Sequence, residues 1–163
     1  MNPNSLRLVG VFTTVAMALT APAGAAPAPA GRYTYPAPGT VYDTKTKLTW
    51  QQTATRGYSG GYYYFAGATT YCAGLGATLG GTGWRLPTIK ELTTIVDESR
   101  VNPAIDPTAF PGEAGDQIWT SSLVVGSNGG DGSRTVWVVY FGNGSITSVG
   151  MTGTNGVSVR CVR

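Results

Sequence analysis

The sequence of 163 residues contains no histidine. Histidine is the usual general base near neutral pH and the commonest metal ligand in proteins. Its absence excludes serine triads that depend on histidine, histidine-based hydrolysis and the usual zinc sites. We therefore expect no hydrolase or zinc site of these kinds. We also predict no cofactor and, apart from the calcium alternative considered below, no bound metal.

Charged residues are also scarce, at 12% of the chain, and the formal net charge is only +3. One of the 11 basic residues, Arg7, lies in a segment that we expect to be removed. Proteins that bind nucleic acid usually carry a strongly basic patch. The nearly neutral balance therefore predicts no nucleic-acid partner.

Long apolar runs are absent, apart from residues 8–19. This run follows Arg7 and precedes small residues up to Ala25, which is the pattern of a cleaved signal peptide. An uncleaved anchor is the alternative, but a membrane span needs about 20 apolar residues. We predict a signal peptide at residues 1–25, a leader rich in proline, alanine and glycine at 26–39, and one domain at 40–163. The cleaved chain would then have no transmembrane segment and would be secreted, periplasmic or on the cell surface.

Cysteine occurs only twice, at Cys72 and Cys161. An even number of cysteines in an exported chain is most simply one disulfide. Closing a loop of this length stabilises a fold by about 4–5 kcal/mol in the chain-entropy model. The alternative is a pair of reactive thiols, although no lysine or histidine lies close in sequence to lower a thiol pKa.

The apolar periodicity predicts an α+β domain, which begins with a hairpin of strands at Thr40–Tyr42 and Leu48–Gln51. Apolar residues at helical spacing predict a first helix from Phe65 to Leu75, followed by a glycine-rich loop from Gly76. Prolines predict an irregular connection at 101–115. The remaining segments predict an antiparallel sheet with a turn at 142–144: "QIWTSSLVV", "TVWVVYF", "SITSV" and "VSVRCVR".

A second helix begins within "GWRLPTIKEL", residues 83–92. Thr88 and Glu91 have the spacing of a capping box, and Pro87 suits the position before a helix. The apolar residues that follow extend the predicted helix to about Asp97. Arg85 is predicted to hold the preceding loop by donating to backbone carbonyls, and contact with an anionic ligand is the alternative.

Four motifs in the same order resemble the Lcl C-terminal domain family: "GWRLPTIKEL", "IWTSS" at 118–122, "WVVYF" at 137–141 and "VRCVR" at 159–163. The resemblance begins near "LTW" at 48–50 and continues to residue 163. That family is similar in fold to C-type lectin-like domains and formylglycine-generating enzymes. The resemblance implies two helices packed on a small twisted antiparallel sheet, with long irregular loops and a bridge from the first helix to the last strand. Its structural residues here would be Trp84, Arg85, Pro87, Thr88, Glu91, Trp119, Trp137 and Arg160, with the three tryptophans expected in the core.

Two departures from these relatives bear on function. Calcium-dependent lectins use "EPN" or "QPD" with a later "WND", and none of these triplets occurs here. Formylglycine-generating enzymes use paired reactive cysteines, whereas Cys72 and Cys161 are better explained as a structural bridge. Asp116 and Asp131, in glycine-rich loops, remain the alternative candidates for a calcium site.

The segment "GYSGGYYYF", residues 57–65, contains the strongest candidates for ligand binding. Consecutive side chains cannot all face a core, so we expect at least one tyrosine to be exposed and able to stack on a sugar ring. The alternative is that these rings pack under neighbouring loops. With two loop cations, the candidate ligand residues are Tyr58, Tyr62, Tyr63, Tyr64, Arg56 and Arg134.

The sequence therefore predicts a non-catalytic, adhesin-like recognition module that binds a polysaccharide or an envelope protein through its loops. Two alternatives remain. One is an enzyme of the formylglycine-generating type, and the other is a purely structural envelope protein.

Overall fold

The structure is a computed structural model that describes residues 30–56, 63–128, 134–152 and 157–163. Its first strands are β1 (Tyr33–Thr34), β2 (Thr40–Asp43) and β3 (Leu48–Gln51). Three helices follow: α1 (Phe65–Gly74), α2 (Gly76–Leu79) and α3 (Ile89–Thr93). The last strands are β4 (Gln117–Asn128), β5 (Arg134–Tyr140), β6 (Ser145–Gly150) and β7 (Val157–Ser158). This mixture of helices and strands confirms the predicted α+β class.

The first sheet contains β1, β2 and β3 in that order, and both pairings are antiparallel. The predicted opening hairpin is confirmed, with Val41 opposite Trp50. Asp43 stabilises its turn because its carboxylate accepts from the Lys45 amide at 2.9 Å. The same buried carboxylate binds Arg32 at 2.8 Å, which holds β1 against the hairpin.

The second sheet has the order β6-β5-β4-β7, and its β4–β7 pair is parallel. The prediction of a wholly antiparallel sheet was therefore wrong in this detail. The chain leaves β6 at one edge and crosses to the opposite edge, where β7 runs in the direction of β4. Regular pairing within the predicted last strand is limited to Val157–Ser158, because Val159 and Val162 bridge to other parts of the chain.

The first two helices differ slightly from the sequence prediction. The apolar face of α1 is confirmed, since Ala68 and Cys72 are fully buried. The chain then forms α2 where a loop was predicted, because the Leu75 carbonyl accepts from Leu79 at 3.0 Å. This short helix ends at Gly80, whose φ of 71° terminates the helical turn.

The capping box of α3 is present as predicted, with Thr88 accepting from the Glu91 amide at 3.2 Å. The regular helix ends at Thr93 and not near Asp97. The next amides, of Thr94 and Ile95, bond three residues back instead of four, which tightens the last turn. Ile95 nevertheless remains buried, as its spacing predicted.

Within the part of the chain that the structure describes, buried side chains form two clusters. One cluster joins the first sheet, α3 and the long connection to the second sheet, and it contains Trp50, Leu92, Phe110 and Phe141. The other joins α1 to the second sheet, and it contains Cys72, Trp84, Trp119 and Cys161. The expectation that Trp84 and Trp119 lie in the core is confirmed, whereas Trp137 is only partly buried.

The C-terminal segment Val157–Arg163 connects these layers, and its first six residues are buried. The amides of Gln51 and Arg85 donate to its carbonyls from opposite sides, each at 2.9 Å. The predicted disulfide is confirmed, with Cys72 and Cys161 Cα atoms 5.5 Å apart. The segment therefore ties the first sheet, the second sheet and α1 together.

Arg160 lies at the centre of this segment and is fully buried. Its guanidinium donates to the Glu113 carboxylate at 2.8 Å and to the Gln51 carbonyl at 2.9 Å. It also lies 4.7 Å from the centre of the Phe110 ring. A buried cation is tolerated only when it is paired and hydrogen-bonded, so these contacts explain its place in the core.

Replacing both Cys72 and Cys161 with alanine should lower the free energy of unfolding by about 4–5 kcal/mol, because the disulfide closes a loop between residues 89 positions apart. Urea unfolding of the oxidised protein and the double variant measures this difference. Reductant should destabilise the native protein to a similar extent and leave the variant unchanged. Two alkylatable thiols in the native, unreduced protein would contradict the disulfide.

Candidate functional site

A groove of about 260 Å³ lies beside α1. One wall is formed by α1, and the other by the segment Trp84–Leu86 and the β4 residue Ser121. The lining is mainly apolar, with hydroxyl groups and one guanidinium at its edges. It consists of Phe65, Thr69, Ala73, Trp84, Arg85, Leu86 and Ser121.

The helix wall follows from the spacing of residues in α1. Phe65, Thr69 and Ala73 are four residues apart, so they share one helix face. Cys72 and its disulfide face the core and hold the helix in place. Phe65 also packs edge-on against Trp119, with ring centres 5.8 Å apart, which orients its ring at the groove.

The opposite wall is held in place by one hydrogen bond and one cation–π contact of Trp84. Its indole N–H donates to the Gly80 carbonyl at 2.8 Å, and the Arg163 guanidinium lies 5.4 Å from its ring centre. Trp84 and Leu86 are 5% and 3% exposed, so they present only a small apolar surface to the groove. An apolar floor with few polar groups at its rim suits recognition of a ligand with an apolar face.

The rim carries the Arg85–Glu91 ion pair. Arg85 donates one hydrogen bond to the Leu86 carbonyl at 3.2 Å, and it binds both carboxylate oxygens of Glu91 at 2.8 and 2.6 Å. The carboxylate is thus a closer partner than the backbone carbonyls that the sequence suggested. Hydrogen bonds from Arg85 and from Thr88 outweigh burial and lower the pKa of Glu91 to about 2.

The structure separates the predicted tyrosines. Tyr58 and Tyr62 lie outside the described residues. Tyr63 is half-buried, with its ring 5.4 Å from that of Tyr71. Tyr64 is 56% exposed at the N-terminus of α1, directly before the groove residue Phe65. Tyr64 is therefore the candidate ring that is available to a ligand beside the groove.

The predicted loop cations have other environments. Arg56 binds both carboxylate oxygens of Asp116, at 2.7 and 3.1 Å. Asp116 also accepts from the Ser158 hydroxyl at 2.8 Å, so its oxygens already serve as structural acceptors. Arg134 is exposed at the start of β5. Asp131, the other calcium candidate, lies outside the described residues.

Within the described ranges, no group of three or more histidine, cysteine, aspartate or glutamate residues is arranged to hold a metal ion. The same part of the chain contains no helix that is both long enough and apolar enough to cross a membrane.

Sequence reasoning missed three of the seven described residues that line the groove, namely Thr69, Ala73 and Ser121. The repeat of four residues from Phe65 to Ala73 was the available signal for the helix wall. No local sequence pattern indicated that Ser121 would face the helix wall, because the two walls of the groove are distant in sequence. Sequence reasoning also missed a hydrogen-bonded cluster of Gln51, Thr55 and Tyr71. This cluster lies beside a second cavity, on another side of α1.

A family model described as the Lcl C-terminal domain matches residues 39–163. No curated protein and no solved structure matches the chain.

Replacing Glu91 with glutamine should cost about 1 kcal/mol of unfolding free energy at neutral pH, because the variant keeps the cap but loses the charge that binds half-exposed Arg85. The folded protein holds the pKa of Glu91 below its ordinary value of 4.5. Ionised Glu91 therefore stabilises the fold above that value, and its contribution is lost as the pH falls toward about 2.

Urea unfolding from pH 7 to pH 2 tests this expectation. The difference in unfolding free energy between the native protein and Glu91→Gln should narrow at acid pH, and Glu98→Gln, at an exposed carboxylate, is the control for the removal of one negative charge. A difference in unfolding free energy that stays constant from pH 7 to pH 2 would contradict a stabilising role for the charge of Glu91.

Proposed function

We propose that this chain, which belongs to the Lcl C-terminal domain family, is a non-catalytic recognition module that binds a glycan in the groove beside α1. The observation that carries the proposal is an exposed tyrosine next to an apolar groove with hydroxyl groups at its rim. Tyr64 is 56% exposed, and the groove begins at the following residue, Phe65. Sugar rings have apolar C–H faces that stack on aromatic rings, and hydroxyl groups that bond to polar rims.

The contacts of the groove support its use as a preformed site. Phe65 packs against Trp119, and the indole of Trp119 donates to the Tyr63 carbonyl at 2.9 Å. These contacts hold the chain at the entrance of α1. A site whose walls are fixed before binding loses little conformational entropy when a ligand arrives.

The rim offers acceptors more readily than donors. The Thr69 hydroxyl donates to the Phe65 carbonyl at 3.0 Å, and the Ser121 hydroxyl donates to the Pro87 carbonyl at 3.3 Å. Their oxygen lone pairs remain able to accept from ligand hydroxyls. Arg85 is already bound by Glu91, so an anionic ligand would have to compete with that ion pair. We therefore favour a neutral glycan over a charged one.

A C-type lectin-like arrangement is supported by the bridge between α1 and the terminal segment. The absence of formylglycine-generating chemistry is supported by the same disulfide, because enzymes of that type depend on paired reactive cysteines, whereas Cys72 and Cys161 are bonded to each other. Export is supported by the signal-like residues 1–25 and by a disulfide, which persists in oxidising compartments.

A glycan array, followed by calorimetry on the bound glycans, tests the groove. Tyr64→Ala should weaken binding about 3- to 10-fold, which corresponds to the loss of one stacking contact. Tyr64 directly precedes the groove residue Phe65, and Tyr35→Ala is the matched control, because Tyr35 is 51% exposed and neither lines the groove nor is adjacent in sequence to a residue that does. Ala73→Trp should fill the groove and abolish binding, whereas Gly74→Trp, at an exposed position of α1 where an added side chain meets open space outside the lining, should not. Failure to bind any glycan at millimolar concentration would reject the proposal.

A protein partner is the second candidate, and strand β6 is the observation that favours it. β6 lies at the edge of the second sheet, and its sequence SITSVG contains no charge and no proline. Ile146 is 50% exposed on this strand. Proteins usually protect long edge strands with charges, proline or a covering segment, because an open edge can pair with another strand.

Capture of envelope proteins on the immobilised chain separates the two candidates. If a partner adds a strand to β6, Thr147→Lys should abolish capture, because a lysine on the edge hinders strand pairing. Ala73→Trp in the groove should then have no effect. Capture that survives Thr147→Lys would reject the edge strand as the binding surface.

A further inference from the structure

A second cavity, of about 230 Å³, lies on another side of α1. One wall comes from β3 and the residues after it, including Gln51 and Thr55. The other wall comes from α1 and α2, including Tyr71, Leu75 and Thr78. Among the residues that the structure describes, every side chain that lines the cavity is uncharged.

Three polar side chains in the cavity wall form a closed hydrogen-bonded triangle. The Gln51 amide nitrogen donates to the Thr55 hydroxyl at 2.8 Å and to the Tyr71 hydroxyl at 2.9 Å. The two hydroxyl oxygens lie 2.8 Å apart and share a third hydrogen bond. The orientation of the amide is determined by its other end, because Gln51 Oε1 accepts from the Cys161 amide at 3.1 Å. Reversing the amide would place two donors against each other.

The hydrogens of this triangle are not all used. Gln51 supplies two N–H groups, and the two hydroxyls supply one O–H each. The triangle uses only one of the two hydroxyl hydrogens, because the hydroxyl oxygens share a single hydrogen bond and the Gln51 nitrogen cannot accept the other. Whichever hydroxyl donates to the other, the second O–H must point away from the triangle. Thr55 and Tyr71 both line the cavity, so the spare donor is available there.

The rest of the cavity complements this donor. The Thr78 hydroxyl donates to the Leu75 carbonyl at 3.1 Å and keeps its lone pairs as acceptors. Leu75 and Leu79 supply an apolar surface. A polyol both donates and accepts through each hydroxyl and presents C–H groups between them, so it matches both kinds of surface. A charged ligand would lose its hydration without gaining an opposite charge.

We propose that this cavity binds one neutral polyol of the size of a single sugar ring, which accepts from the spare hydroxyl of the Thr55–Tyr71 pair. Its volume is below the approximately 300–1,000 Å³ of pockets for larger ligands, so a single ring is the appropriate size. The position of Tyr71 is fixed in advance by the neighbouring disulfide at Cys72 and by the ring of Tyr63. This site is separate from the groove of the proposed function and does not depend on it.

Nuclear magnetic resonance titration of the disulfide-bonded protein tests the proposal. The neutral probes are glucose, galactose, N-acetylglucosamine and myo-inositol, and glucuronate is the charged comparison. We expect saturable shifts of the Gln51 side-chain amide signals with at least one neutral probe, and weaker shifts with glucuronate. No saturable shift with any neutral probe, or equal binding of glucuronate, would overturn the proposal.

Variants connect such binding to the triangle. A single removal of either hydroxyl leaves the other as a donor, so the informative change is Thr55→Val together with Tyr71→Phe. The double variant should bind at least about tenfold more weakly, and unchanged binding would overturn the proposal.

Thr78→Trp should fill the cavity and abolish binding, with exposed Ala77→Trp as its control. If the double variant does not fold, Thr78→Trp decides alone. Ala73→Trp in the groove should leave this binding intact, which distinguishes the two sites.

Discussion

The C-terminal segment Val157–Arg163 is the constraint on which the rest of the structure depends. Val162 bridges to both Trp50 and Arg85, so this segment lies between the first sheet and the loop that precedes α3. Cys161 adds a covalent bond to α1, and β7 pairs with β4. The helices are short, with five residues in α3, and short helices are marginal without tertiary packing. The helices therefore depend on packing against this central segment for their stability.

The same segment positions both cavities on α1. The disulfide holds Cys72 against the core, which leaves Phe65 and Ala73 on one exposed side of the helix and Tyr71 on another. The Cys161 amide also orients the Gln51 side chain within the polar triangle. A binding surface built on a covalently anchored helix is more rigid than one built on loops alone. This architecture suits recognition, because it reduces the entropy lost when a ligand binds.

Local features were predictable from the sequence, and features that depend on distant partners were not. The capping box requires only Thr88 and Glu91, and the buried face of α1 follows from its own periodicity. By contrast, Gln51 reaches Tyr71 and Cys161 across 20 and 110 positions of the chain. The parallel placement of β7 likewise depends on how the chain crosses the sheet. Arg85 was assigned to carbonyls because its partner, six residues away, is reached around a turn and not along one helix face.

The central position of Val157–Arg163 has a consequence for how the polypeptide matures. On the ribosome these residues are made after every element they contact, so an incomplete chain lacks the strand that joins its layers. Until residues 162 and 163 can pack, Trp50 lacks its bridge to Val162 and Trp84 lacks its contact with Arg163. Pairing across more than a hundred positions carries a high contact order, which slows folding. Assembly of this domain can therefore be completed only after residues 157–163 have been synthesised.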